Sequence, residues 1–251
     1  MRNLAIFLFV LSLSSCATKP DNLAEEEETV LSFRTETLER ETCVGENCAK
    51  LKLSWPVASG ARTADKINEA IDEQMSFLMQ TGEDIAPLDT MIAQYFRSFE
   101  EFKREFPDSY GGWEIEATGE LAYQSDSTLS IYFTQFNFMG GAHPNSMVNF
   151  LNFDPMTGEA LSTDRVILDQ KGVSSLAEQK FAQFHEVEEG VSLAEDGRFF
   201  LPETGFFLAN AIGFKDDKFW VIYVPYEIGP YAMGYTELAF TKAELGKMVR
   251  W

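Results

Sequence analysis

The sequence predicts an α+β fold: antiparallel or mixed sheets with helices packed on one face, and a disulfide-stapled strand pair near the start. Three observations carry this. Apolar and polar residues alternate with a period of two at residues 30–42, 51–55, 113–123 and 129–133. Two long stretches of helical periodicity fall between the second and third of these runs. Two cysteines, Cys43 and Cys48, bracket a short turn between the first two runs.

The leading residues read as an address. Arg2 gives a thin basic start, and residues 4–13 form an apolar run too short to anchor stably across a bilayer, as in a cleaved secretory segment. Leu13-Ser14-Ser15-Cys16 then has the Leu-small-small-Cys pattern of a bacterial lipoprotein signal. On that reading residues 1–15 are removed and Cys16 carries the lipid; the alternative is an ordinary signal with an incidental cysteine. Ala17, not an aspartate, follows Cys16, which in a cell with two membranes points to the outer one, facing the periplasm. The expected location is therefore the cell envelope, with the membrane reached through the lipid on Cys16. Residues 16–29 include Glu25-Glu26-Glu27-Glu28, a self-repelling block expected to stay solvated as a tether.

The formal net charge is −20, from 40 acidic and 20 basic residues. Nucleic acid and anionic lipid headgroups would be repelled and are excluded as default partners. A cationic protein would be attracted, although such acidity also serves solubility or a salty habitat.

With Cys16 lipidated, Cys43 and Cys48 remain, in Thr42-Cys43-Val44-Gly45-Glu46-Asn47-Cys48. In an exported chain the pair reads as a disulfide across a tight turn. Closing so short a loop stabilises by about 2 kcal/mol. A metal is not expected, because two cysteines and two scattered histidines do not make a tetrahedral set.

The elements follow in order. Leu31, Phe33, Thr35 and Thr37 share one face of a first strand, and Leu51, Leu53 and Trp55 mark a second that Pro56 should stop. Thr63 is placed to cap a helix with the stripe Ile67, Ala70, Ile71, Met75 and Leu78, broken at Thr81-Gly82-Glu83-Asp84. A second helix carries Leu88, Ile92, Tyr95, Phe96, Phe99, Phe102 and Phe106, up to Pro107. So dense an aromatic stripe reads first as core packing, not as a ligand groove. Strands with Trp113, Ile115, Ala117, Leu121 and Tyr123, and with Leu129, Ile131 and Phe133, are joined by a turn at residues 124–127. The second of these runs into Gly140-Gly141-Ala142-His143, after which residues 146–153 form another strand.

Ser175 with Glu178 forms a capping box for a helix bearing Leu176, Phe181, Phe184 and Val187, with His185 at its boundary. Residues 206–214 and 218–226 read as a hairpin, residues 226–234 as a compact aromatic loop, and residues 238–240 as a closing strand before a brief helix capped by Thr241. Beyond the leader (1–15) and tether (16–29), the expected division is 30–110 and 111–251.

No recognisable catalytic motif is present: no Gly-x-Ser-x-Gly, no phosphate-cradling glycine loop and no His-Glu-x-x-His. Cofactors are not implied. His143 is the one polar group set in an apolar frame, and it has two readings. It is either a general base paired with a carboxylate, or a structural imidazole bonding backbone in a loop whose glycines supply positive φ. Tyr226, Glu227 and Tyr231 read as a loop plug and, second, as a recognition surface.

Gly140-Gly141-Ala142-His143, Asn152-Phe153-Asp154 with Thr157-Gly158, and Pro225-Tyr226-Glu227-Ile228 with Tyr231-Ala232-Met233-Gly234 form an ordered signature. It resembles the extracytoplasmic domain of unknown function shared by the lysozyme-sensing sigma-V anti-sigma factor and the leading region of certain peptidoglycan deacetylases. The resemblance spans about residues 30–250, with residues 30–110 similar to the companion deacetylase-associated domain. It implies a lipid-anchored, non-catalytic envelope protein that binds a protein or cell-wall ligand, with lysozyme or peptidoglycan as candidates. It transfers no catalytic residue, and no separate catalytic domain is recognised in this sequence. The rival reading is a peptidoglycan- or glycan-modifying hydrolase using His143 and a carboxylate; a third is a structural lipoprotein packed in an envelope complex. The expected binding face lies where the His143 loop meets residues 226–234.

Overall fold

The computed structural model describes residues 30–80 and 84–251. The leader, Cys16, the tether and residues 81–83 lie outside them.

Period-two alternation builds β1 (Ser32–Val44) and β2 (Asn47–Ser59) as an antiparallel pair in which Cys43 faces Cys48. Those two cysteines are joined in a disulfide with a Cα–Cα distance of 4.0 Å. Gly45, at φ +62°, supplies the positive φ that this tight turn needs. Pro56 does not end β2; it sits inside the strand opposite Thr35. The ladder from β2 to the next strand of the sheet stops at Ser54, so on that side the missing N–H breaks no bond.

Helices α1 (Ala64–Leu78) and α2 (Leu88–Glu105) follow. Ile67, Ile71, Met75 and Leu78 of α1 are buried, as are Ile92, Tyr95 and Phe99 of α2, so this part of the aromatic stripe is core, whereas Phe96 and Phe102 are half-buried and Phe106 is exposed. Thr63 occupies the N-cap position of α1 but makes no capping bond; its Oγ1 is buried without a partner. Gly158 packs directly against it, since a Cβ on that glycine would lie 2.9 Å from Thr63 Cβ.

β3 (Trp113–Gln124) then returns parallel to β2, from Ala49↔Trp113 to Ser54↔Thr118. β4 (Leu129–Phe138) and β5 (Asn145–Phe153) complete a sheet of order β1-β2-β3-β4-β5. Along β4 the helix-facing residues Leu129, Ile131 and Phe133 are fully buried, while Tyr132, Thr134 and Phe136 on the other face are half-buried. The expected division at residue 110 falls in the connection from α2 to β3, and the sheet continues across it.

The second layer holds α3 (Thr163–Val166), α4 (Gln170–Phe184), α5 (Leu193–Asp196), β6 (Ala211–Lys215), β7 (Lys218–Tyr223), β8 (Thr236–Phe240) and α6 (Lys242–Leu245). Its sheet order is β6-β7-β8. α4 starts earlier than Ser175: Asp169 caps it, accepting from Gly172 N at 3.0 Å. Residues 170–174 carry little apolar periodicity, which hid that turn. The Ser–x–x–Glu box instead starts α5, at Ser192 and Glu195, and an equivalent Thr–x–x–Glu box at Thr241 and Glu244 starts α6. Residues 206–210 are not strand; the β6–β7 ladder begins at Ala211↔Ile222.

The β4–β5 hairpin is where the two layers join. Asn152 of β5 is 7% exposed, and its Nδ2 donates to Ile212 O at 2.8 Å. Phe150 packs so tightly on Gly213 that a Cβ there would lie 2.4 Å from its ring. At the chain end, Arg250 reaches back to Ser127 O (2.9 Å) and to Asp154 Oδ2 (2.5 Å). Among the described residues no helix is long and apolar enough to cross a membrane.

Candidate functional site

The loop after β4 keeps its shape through Gly140 and Gly141, at φ +88° and +105°. It projects His143, which is exposed. The His143 ring stacks on Tyr231 with centroids 4.9 Å apart and planes 25° apart. Tyr231 in turn meets Tyr226 at 5.6 Å and 40°. The two loops expected to meet therefore do meet, through three aromatic rings.

Tyr226 stands out in two ways. It is 63% exposed, and its backbone lies at φ +71°. A bulky residue in the left-handed region costs roughly 1–2 kcal/mol and persists only where its surroundings over-determine it. The next residue provides the constraint. Glu227 Oε1 accepts from Asn210 N and Asn210 Nδ2, each at 2.8 Å, and Glu227 Oε2 accepts from Val224 N at 3.0 Å. Those bonds also explain why residues 206–210 leave the hairpin, because Glu227 takes N–H groups at the point where the ladder would continue.

The rest of the loop is fixed by packing. Ile228 is buried at 2% exposure, and its carbonyl accepts from Phe200 N. Gly229 lets the chain fold over Met233, whose Sδ would lie 2.5 Å from a Cβ at that position. The Pro-Tyr-Glu-Ile-Gly-Pro-Tyr run thus divides its work. Glu227, Ile228 and Gly229 hold the loop, and Tyr226 and Tyr231 are displayed by it.

The chemistry of the site follows from the same contacts. Among the described residues, His143 has no hydrogen-bond or ion-pair partner, so neither the acid–base pair nor the backbone-bonded imidazole is formed. Its hold on the fold is the ring stack on Tyr231. Glu227 already accepts three N–H groups and so serves the backbone. His185, the other histidine, caps α4, pairs its Nε2 with Thr236 Oγ1 at 2.8 Å and packs on Phe181 and Phe199. Burial, and then the Arg198 guanidinium, hold its pKa below the ordinary histidine value. Both make it a structural boundary residue. Glu41 lies with Cys43 and Cys48 in a cluster of metal-ligand type, but the disulfide leaves no thiolate to bind an ion. Two clefts, of about 650 Å³ beside α4 and about 760 Å³ along α1, are lined by other residues.

Comparison with known proteins finds similarity in two stretches of the chain. Residues 43–146 match the family described as Deacetylase PdaC, and residues 167–243 match a protein family of unknown function, DUF3298. The chain is thus similar to the first family from the end of β1 to the start of β5, and to the second, a family of unknown function, over the residues that follow. No curated protein matches the chain. Among solved structures, a DUF3298 family protein from Pseudomonas aeruginosa PAO1 superposes with a TM-score of 0.63 at 18% identity, covering 87% of this chain and 95% of that one. A DUF3298 member from Bacteroides fragilis gives 0.67 at 15%, covering 89% and 95%. At these identities the likeness is one of fold. His143 lies in the stretch that matches the first family, whereas Tyr226 and Tyr231 lie in the stretch that matches the second, so the ring stack joins the two stretches. Asn210, the other half of the clamp on Glu227, had no signal in the sequence.

Proposed function

We propose that this chain is a lipid-anchored, non-catalytic cell-envelope protein whose His143–Tyr231–Tyr226 ring stack is the binding surface for a cationic protein, with lysozyme as the candidate. In this reading Cys16 carries the lipid, the outer membrane is the anchor, and residues 17–29 are the spacer. The observation that carries the binding surface is Tyr226: an exposed aromatic ring held on left-handed backbone, joined by Tyr231 to a ring from the other region. Exposed tyrosines give large contact area at low entropy cost and take up ammonium or guanidinium groups on their faces. Lys103, Lys180, Arg198, Lys215 and Lys242 lie over other rings of the chain, and among the described residues no cation lies over Tyr226 or Tyr231. The charge of −20 would steer a basic partner toward the protein. The hydrolase alternative is disfavoured because the carboxylate nearest in sequence to the ring stack, Glu227, is bound to three N–H groups.

The test is calorimetry of the processed chain carrying Cys16→Ser against lysozyme. A complex at low salt that weakens as salt rises, and weakens further with Tyr226→Ala or Tyr231→Ala, supports the reading. Absence of a complex at low salt removes lysozyme as the partner. Labelling of cells with a palmitate analogue, followed by envelope fractionation, tests the anchor: Cys16→Ala should abolish the label.

A further inference from the structure

We infer that Glu227 is the positioning residue of the recognition loop: its carboxylate sets the backbone that presents Tyr226, without itself touching the partner. The inference rests on the binding reading above for its use, but not for its geometry. Among the described residues, four that are not glycine have positive φ. Asp216 and Asp217 form the two-residue turn between β6 and β7, where both central positions of a type I′ turn need it. Glu186 follows the end of α4, the usual place for a left-handed residue. Tyr226 is the third residue of the turn from Val224 to Glu227, after Pro225, where a type II turn also needs positive φ, and among the four it alone puts a bulky exposed aromatic ring there.

What holds Tyr226 is the carboxylate on the following residue. Glu227 ties Val224, two positions before Tyr226, to Asn210, the residue just ahead of β6. Glu227 N also donates to Val224 O at 3.0 Å, closing a turn with Tyr226 inside it. Both ends of the turn are thereby pinned to a neighbouring strand end, and the intervening ring is left facing solvent beside Tyr231. A neutral glutamine at 227 could keep the bonds from Asn210 through its carbonyl oxygen. Its amide group would then face the N–H of Val224, donor against donor. The turn would lose that anchor while the buried Ile228 and the sheets stay in place.

The experiment has two arms on the whole processed chain. In the first, NMR of Glu227→Gln is compared with the parent chain. The expected result is at least tenfold faster exchange of the Val224 amide. The strong intraresidue HN–Hα NOE that positive φ gives Tyr226 should weaken and the Tyr226–Tyr231 ring NOE should fade, with amide shifts of β1–β5 unchanged. If both Tyr226 NOEs stay as they are, the inference is overturned whatever the binding result. Asn210→Ala, which removes one of the three donors, serves if Glu227→Gln does not fold, and should shift the same signals less. The second arm uses lysozyme in a double-mutant cycle. Glu227→Gln should weaken binding at least fivefold in the parent chain and not at all in a Tyr226→Ala background. A further loss in that background means that Glu227 acts other than through Tyr226, and overturns the inference. Unchanged binding by Tyr226→Ala itself overturns the binding reading and leaves the clamp to be decided by the first arm.

Discussion

Ser130 and Asn152 meet at 2.7 Å across the β4–β5 pair, and each also bonds the second layer: Ser130 Oγ accepts from Phe214 N, and Asn152 Nδ2 donates to Ile212 O. Both are buried, so two polar side chains in the joint between sheets have their partners supplied by β6. Replacing Asn152 with Ala strands the Ile212 carbonyl without a donor. The expected cost is about 2–3 kcal/mol in urea denaturation, and Ser130→Ala combined with it should cost less than the sum of the two.

Gly213 sets how closely the layers approach. Its missing side chain is replaced by the Phe150 ring, whose Cγ would lie 2.4 Å from a Cβ. Gly213→Ala must push β6 away from β5 and should lower stability by about 1–3 kcal/mol, with Phe150→Leu in the same chain recovering part of the loss. Thermal unfolding of the two variants checks this.

Acid sensitivity is expected at the last helix. Glu244 accepts from the Thr241 N–H, from Lys180 Nζ and from the Thr241 hydroxyl, and together these hold its carboxyl at about 2, below its ordinary 4.5. A depressed folded-state value stabilises above the unfolded value, and the contribution is lost as pH falls from about 4.5 to about 2. The side chain is 43% exposed, so the effect is expected to be no more than about 1 kcal/mol. Glu244→Gln should be less stable than the parent at pH 7, with the gap closing as the pH approaches 2.

At position 226 the backbone and the ring can be separated. Alanine and glycine both remove the ring, but only glycine adopts φ +71° freely. Tyr226→Gly should therefore be about 1 kcal/mol more stable than Tyr226→Ala. Both should weaken lysozyme binding, since both lose the ring.

Much of the architecture was legible because it depends on local pattern. The alternation around Leu51 and Leu53 is read by any sheet that buries one face, and Cys43 and Cys48 could close only a hairpin turn. Thr241 marked a helix start correctly, and Glu244 completes its capping box in the structure. Ser175 with Glu178 matched the same pattern but lay inside α4, since a capping pattern says nothing of the chain before it. Pro56 was misread as a stop, because a strand tolerates proline wherever a neighbouring ladder has already ended. That ladder comes from β3, 64 residues away for the pair Leu53↔Ala117.

For the site, the sequence by itself determined which residues were available: a histidine between glycines and an aspartate-free aromatic run ending in Tyr226-Glu227-Ile228-Gly229-Pro230-Tyr231. It also determined the acidic surface and the strand that carries the loop, because charge and periodicity are properties of the chain read in order. Only the tertiary structure decided the roles. Stacking of His143 on Tyr231 joins residues 88 positions apart, and the clamp on Glu227 needs Asn210 from the far side of a hairpin. Neither distance has a local signature, so the loop that offered a candidate base became, once folded, one ring of a three-ring stack.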